Sequence, residues 1–105
     1  MSLRRVVLPE AADELVDAVA WYDERRPGLG AEFFGVVDAG MAAVCATPMV
    51  AAAWPGLPRY RCFVLQRFPY MLVYEVRGEE IEFAAVAHTS RKPGYWTDRI
   101  RTRGT

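Results

Sequence analysis

The hydrophobic period of this 105-residue chain changes once, and that change bounds its architecture. Before residue 48 the apolar residues recur at helical spacing; after residue 58 they come in β-branched and aromatic runs typical of strands. Between the two regimes Pro48, Pro55, Gly56 and Pro58 predict an irregular crossing loop over 48–58, with Trp54 plugging the edge of the core. A chain that gives its first half to helices and its second to strands must bury one layer against the other.

The first element is a short strand, Arg5-Val6-Val7-Leu8. Pro9 then suits the first turn of a helix, where its missing N–H is no loss. Glu10, Asp13 and Glu14 favour the positive end of the helix dipole, and Arg25 and Arg26 the negative end. Ala12, Leu15, Val16, Val19 and Tyr22 form its apolar stripe, and Pro27-Gly28 ends it. A second helix is predicted from Leu29 to Ala46, closed by Thr47-Pro48. Its stripe is Phe33, Val37, Met41, Val44 and Cys45, widened by Phe34 and Val36. Gly35 and Gly40 each cost roughly 1 kcal/mol relative to alanine, and are expected to let the first helix approach closely. So short a connection predicts an antiparallel helical hairpin. Strands follow at residues 60–67, 70–77 and 81–87, the last two joined by a Gly78-Glu79 turn. The expected fold class is therefore α+β, in the order β-α-α-β-β-β. A helical hairpin packs on one face of a mostly antiparallel sheet, with a short C-terminal tail or helix, as one domain over 1–105.

Composition narrows the function classes. The 52% apolar content excludes a disordered chain. No apolar stretch is expected to reach the ~20 residues of a membrane helix, and the N-terminus lacks a secretory pattern, so the expected location is cytoplasmic, with no membrane partner. Cys45 and Cys62 are isolated in apolar segments and read as core residues; no metal or cofactor is expected. Net charge is zero but unevenly spread: eight acidic and four basic residues in 1–50, five acidic and nine basic in 51–105. The second half thus carries a net 9 − 5 = +4, which hints at an anionic partner without the global basicity of a dedicated nucleic-acid binder.

The chemistry-bearing residues gather after the last strand. His88-Thr89-Ser90-Arg91-Lys92-Pro93-Gly94-Tyr95-Trp96 holds the only histidine and the only lysine. Strict alternation puts Glu82, Ala84, Val86 and His88 on one side of that strand, and Ile81, Phe83, Ala85 and Ala87 on the other. The aromatic side is expected to meet the helices. His88 then ends a less covered, partly apolar face, which Arg61 and Arg67 share if the register allows.

Three stretches resemble the RelE/ParE family of bacterial toxins. They are Leu8-Pro9-Glu10-Ala11-Ala12-Asp13-Glu14-Leu15 followed by Ala20-Trp21-Tyr22, then Leu57-Pro58-Arg59-Tyr60-Arg61 with Arg67-Phe68-Pro69-Tyr70-Met71-Leu72-Val73-Tyr74, and finally Val86 to Trp96. Together they span nearly the whole chain, in the family's order. The resemblance implies a toxin of a type II toxin–antitoxin pair, of the kind called plasmid stabilisation proteins, bound by a cognate antitoxin in a hetero-oligomer. Arg67, Glu82, Val86, Lys92 and Trp96 are the expected partner-binding residues.

Two mechanisms follow from the resemblance. In a RelE-like endoribonuclease, which cuts messenger RNA on the ribosome without a metal, His88 would be the general acid or base, since an imidazole serves either role near neutrality. Arg61 and Arg91 would stabilise charge, and Tyr95 would stack on a base. In a ParE-like toxin the protein inhibits DNA gyrase by binding, with no chemistry of its own, and His88 is structural, hydrogen-bonded to Tyr95 or a backbone carbonyl. The Trp21-Tyr22 helix, the long first hairpin and the single lysine look closer to the ParE branch. A degenerate domain that only binds its partner is the third reading.

Overall fold

A computed structural model describes residues 2–102. The elements are β1 (Arg4–Val7), α1 (Pro9–Arg25), α2 (Leu29–Ala46), β2 (Ala52–Trp54), β3 (Leu57–Val64), β4 (Tyr70–Arg77), β5 (Glu80–His88) and α3 (Thr97–Thr102). The sheet runs β1-β5-β4-β3-β2, with β1 parallel to β5 and every other pair antiparallel. The helical hairpin lies on one face, as the change of period requires. The 48–58 segment is less irregular than expected, because residues 52–54 pair with β3 as an edge strand. The run 60–67 ends early: residues 65–69 form the turn to β4, closed by Leu65 N–H donating to Tyr70 O at 2.9 Å, with Arg67 at φ 71°.

The α1 stripe is shifted from the one read by side-chain size, while the α2 stripe is as expected. On α1 the fully packed positions are Ala11 and Ala18, flanked by Leu15, Val19 and Tyr22, whereas Val16 is 65% exposed. Small side chains mark the line of closest approach to the sheet. On α2 Phe33, Val37, Met41, Val44 and Cys45 are buried and Phe34 is exposed. The glycines also divide differently. Gly35 faces open space, and a Cβ at Gly40 would meet Leu65, Leu72 and Phe63 of the sheet side. It is Gly30 that brings the helices together, since a Cβ there would sit 2.4 Å from Val19 O. Its N–H donates to Asp23 Oδ1 at 2.8 Å. By length and composition α2 is apolar enough to cross a membrane, contrary to expectation. Here that apolarity serves the core: Tyr22, Phe33, Phe68 and Tyr70 pack ring to ring at centroid distances of 4.8 to 6.3 Å.

A β-bulge sets what β5 presents to each side. Tyr74 pairs with Phe83 but Val73 pairs with Ala85, so Ala84 is an extra residue and the alternation changes phase there. Ile81, Phe83 and, beyond the bulge, Val86 join the core under the helices. Ala85 and Ala87 turn to the second face, where Leu8, Tyr60, Val73 and Trp96 form a smaller cluster. Strict alternation assigned Val86 and His88 to the open face, and the bulge moves both to the helix side. Nor is the second face open: Trp96 is fully buried against it, packed on Tyr60 at 5.5 Å and Trp54 at 5.4 Å.

Candidate functional site

A cleft of about 540 Å³ opens between α1 and the ends of β4 and β5. Glu14, Asp17, Ala18, Trp21 and Tyr22 line it from α1. Pro69, Tyr70, Val86, His88, Ser90 and Arg91 line it from the sheet and the loop after it. The cleft exists because β1 stops at Val7. Past Phe83, β5 has no strand beside it on that edge, and a helix lies there instead.

Glu14 organises this edge. Its carboxylate accepts both Nη groups of Arg99, at 2.9 and 2.8 Å, the backbone N–H of Val86 at 3.0 Å, and the hydroxyl of Tyr95. Arg99 also donates to Ala84 O at 3.0 Å. The exposed rim of β5 is thus closed by side chains of α1 and α3, one means of blunting a sheet edge. Burial, with the Glu14 carboxylate beside it, pushes the Tyr95 hydroxyl far above its ordinary value, so it remains a donor at any ordinary pH. Fork-on-carboxylate geometry with a hydroxyl and an amide added makes this a strong charge-assisted site.

His88 sits at the end of β5 with its ring edge-on to Tyr70, 5.0 Å between centroids. Its Nδ1 accepts the Ser90 N–H at 3.0 Å and lies 2.8 Å from Ser90 Oγ. That assigns the proton of a neutral ring to Nε2. The expected Tyr95 contact is not made, because Glu14 takes the Tyr95 hydroxyl. Arg91 lies over the Tyr95 ring at 3.9 Å.

The other expected site residues are dispersed. Arg61 pairs across from Tyr74 and His88 across from Tyr70, four residues apart on β4, roughly 13 Å along the strand. Arg61 Nη1 donates to Ala51 O at 2.5 Å, pinning the segment before β2, and Tyr74 donates to Pro48 O at 2.7 Å. Arg67 is exposed at the β3–β4 turn and ion-paired to Glu32 of α2 at 2.7 Å. Lys92 is exposed in the loop after β5. Glu82, Val86 and Trp96, expected to meet a partner, are buried at 6%, 1% and 0% exposure. Glu82 faces Glu75 across β4 and β5, and Arg77 and Arg59 neutralise this pair from the solvent side. Among the described residues no group of three histidine, cysteine or acidic side chains is placed to hold a metal.

Sequence reading missed Glu14 as a hub, along with Asp17, Tyr70 and Arg99. Glu14 did carry a signal: it lies three residues after Ala11 and four before Ala18, on the buried stripe itself. A carboxylate there needs partners.

By architecture the protein is a small α+β domain, a helical hairpin on a five-stranded open sheet with a side-chain-capped edge. Its sequence matches the family model described as ParE toxin of type II toxin–antitoxin system, parDE, over residues 6–93. The chain therefore belongs to the ParE toxin family. The fold is similar to a solved chain from a structure described as the chromosomal ParDE TA system from P. aeruginosa. The TM-score is 0.74 at 18% identity, over 85% of this chain and 98% of that one. A search of curated proteins gave no match.

Proposed function

We propose that this ParE-family toxin acts in the cytoplasm by binding and inhibiting DNA gyrase, with no chemistry of its own, and that a cognate antitoxin neutralises it. The separation of Arg61 from His88, Arg91 and Tyr95 carries this reading. Phosphodiester cleavage needs an acid or base and cationic groups converging within hydrogen-bond reach of one phosphate. His88 and Arg61 stand roughly 13 Å apart along β4. Tyr95 is tied to Glu14 and stacked under Arg91, so its ring is already occupied on that side. A protein with this arrangement has surfaces to offer rather than a reaction centre. Lys92, exposed in the loop after β5, remains available to a partner, and Arg67 would have to exchange its exposed ion pair with Glu32.

Induced expression should arrest growth, and the purified protein should block gyrase supercoiling or trap cleaved DNA. His88→Ala should leave both effects largely intact. Messenger RNA cut at ribosomal A sites, with toxicity lost in a folded His88→Ala variant, would instead establish the nuclease. Absence of growth arrest with antitoxin binding retained would identify a domain that only binds its partner.

A further inference from the structure

The outer face of α2 is apolar where a surface helix is ordinarily polar. Phe34 is 50% exposed, and Gly35, Ala39, Ala42, Ala43 and Ala46 are exposed along the same helix. The charged residues of α2 are Glu32 and Asp38 alone, and both are already paired. Glu32 meets Arg67 at 2.7 Å and Arg26 at 3.3 Å, and Asp38 meets Arg5 at 2.7 Å. Mean hydropathy over Leu29–Ala46 is 1.5, yet only 39% of that stretch is buried. A helix apolar on all sides is stable in water only when it is covered on all sides. The sheet and α1 cover one side of α2, and among the described residues nothing covers the other. Gly35 sharpens the point. A glycine in mid-helix costs about 1 kcal/mol relative to alanine, and within the chain no atom approaches it closely enough to require one.

Charge and shape decide the occupant. A nucleic-acid strand is held by cations, and α2 carries none. An anionic lipid surface calls for lysine and arginine on the helix, whereas the charges here are carboxylates. The fitting partner is a charge-poor apolar helix face with small side chains, and a second copy of α2 is such a face. We infer that α2 pairs with α2 of a second copy of this chain, antiparallel about a two-fold axis near Ala39. Such pairing sets Phe34, in the first half of each helix, against the alanine-rich second half of the other, so bulk meets space at both ends. It also lays the N-terminus of each helix beside the C-terminus of its partner, where the dipoles attract. Glycine and alanine along the seam let the two axes approach to about 8 Å. Asp38 lies near the axis, but each copy brings it already neutralised by Arg5. A contact ~27 Å long buries on the order of 1,000 Å² in all, the lower bound of a specific interface, so the dimer is weak and concentration-dependent.

Sedimentation of the full chain at concentrations on the order of 1–500 µM, the range of a weak interface, tests this. The mass should rise from that of one chain toward that of two and stop there. Ala39→Glu and Ala39→Lys place good helix formers at an exposed position, so urea stability at dilute concentration should not change. Each should weaken the dimer roughly 10-fold or more, because like charges then face each other across the axis. Mixing the two variants should restore association, because opposite charges then meet there. A single-chain mass across the whole range overturns the inference. So does a dimer that neither variant weakens, since it would lie on another face. A protein that stays monomeric but floats with vesicles of phosphatidylcholine and phosphatidylglycerol, and no longer floats as Ala39→Glu, overturns it in favour of a membrane. One that stays monomeric and loses gyrase inhibition as Ala39→Glu overturns it in favour of gyrase.

Discussion

Glu14 shows how one side chain can hold three parts of a chain together. Its carboxylate joins α1 to the backbone of β5 and to the segment after it through four hydrogen bonds, with 17% of the side chain exposed. Removing one member of such a pair leaves the other charge poorly solvated, so Glu14→Ala should cost about 2–4 kcal/mol in urea denaturation. Tyr95→Phe removes a single hydrogen bond and keeps the ring under Arg91, and should cost about 1 kcal/mol. Equal losses for the two variants would mean that the Tyr95–Glu14 hydrogen bond, not the contacts of Glu14 with Arg99 and Val86, holds the site together. The half-buried Cys62 thiol makes a separate prediction. Burial raises it from 9.0 to about 11, so the folded protein holds this proton more tightly than the unfolded chain. That contribution is complete below pH 9.0 and is lost as pH rises through about 11. Stability should therefore fall over that window, and less steeply in Cys62→Ala. Burial raises the tyrosine hydroxyls as well, Tyr60 to about 12, and these extend the alkaline fall in both proteins.

At the scale of the elements, the helical hairpin depends on one glycine and tolerates another. Gly30→Ala drives a methyl group against Val19 O and should destabilise the protein by about 1–3 kcal/mol. Gly35 points into open space mid-helix, where alanine should stabilise by about 0.5–1 kcal/mol. Thermal unfolding of the two variants checks both signs, and a loss at Gly35 would place something against that face. Of the elements themselves, α2 was legible to the residue, because its stripe and both breakers agree. The strands at 70–77 and 81–87 were legible to within a residue. The edge strand at 52–54 was not, because a three-residue ladder against β3 leaves no periodicity to read. The β5 bulge was invisible for the same kind of reason. A run of Ala84, Ala85, Val86 and Ala87 is apolar on both faces, so nothing in it marks where the phase changes.

At the scale of the molecule, the segment after β5 completes the fold by covering the second face of the sheet. Trp96 is its plug, fully buried over Tyr60 and Trp54. Trp96→Ala should cost about 3–5 kcal/mol, a large share of the ~5–15 kcal/mol that holds a domain of this kind together. Deuterium exchange should then rise at Val73, Ala85 and Ala87, which share its cluster. Fast exchange confined to residues 89–102, with those three still protected, would show that the sheet does not rely on the plug. Exposed apolar side chains accordingly lie elsewhere, Trp21 and Val16 on α1 among them.

The amino-acid order alone determined the layer plan, the two helices, the long hairpin and the family resemblance. Each of these is written in local periodicity and in breakers that act over a few residues. It also placed His88, Arg91 and Tyr95 at the end of the last strand. Only the tertiary structure decided which of them meet. The bulge at Ala84 reversed the facing of Val86 and His88, and the sheet order left the end of β5 beside α1 rather than beside a strand. Register and edge position are set by contacts between residues far apart in the chain, such as Glu14 with Arg99, and such pairings carry no local signature. The basic cluster thus became one wall of a cleft whose other wall lies some seventy residues earlier in the chain.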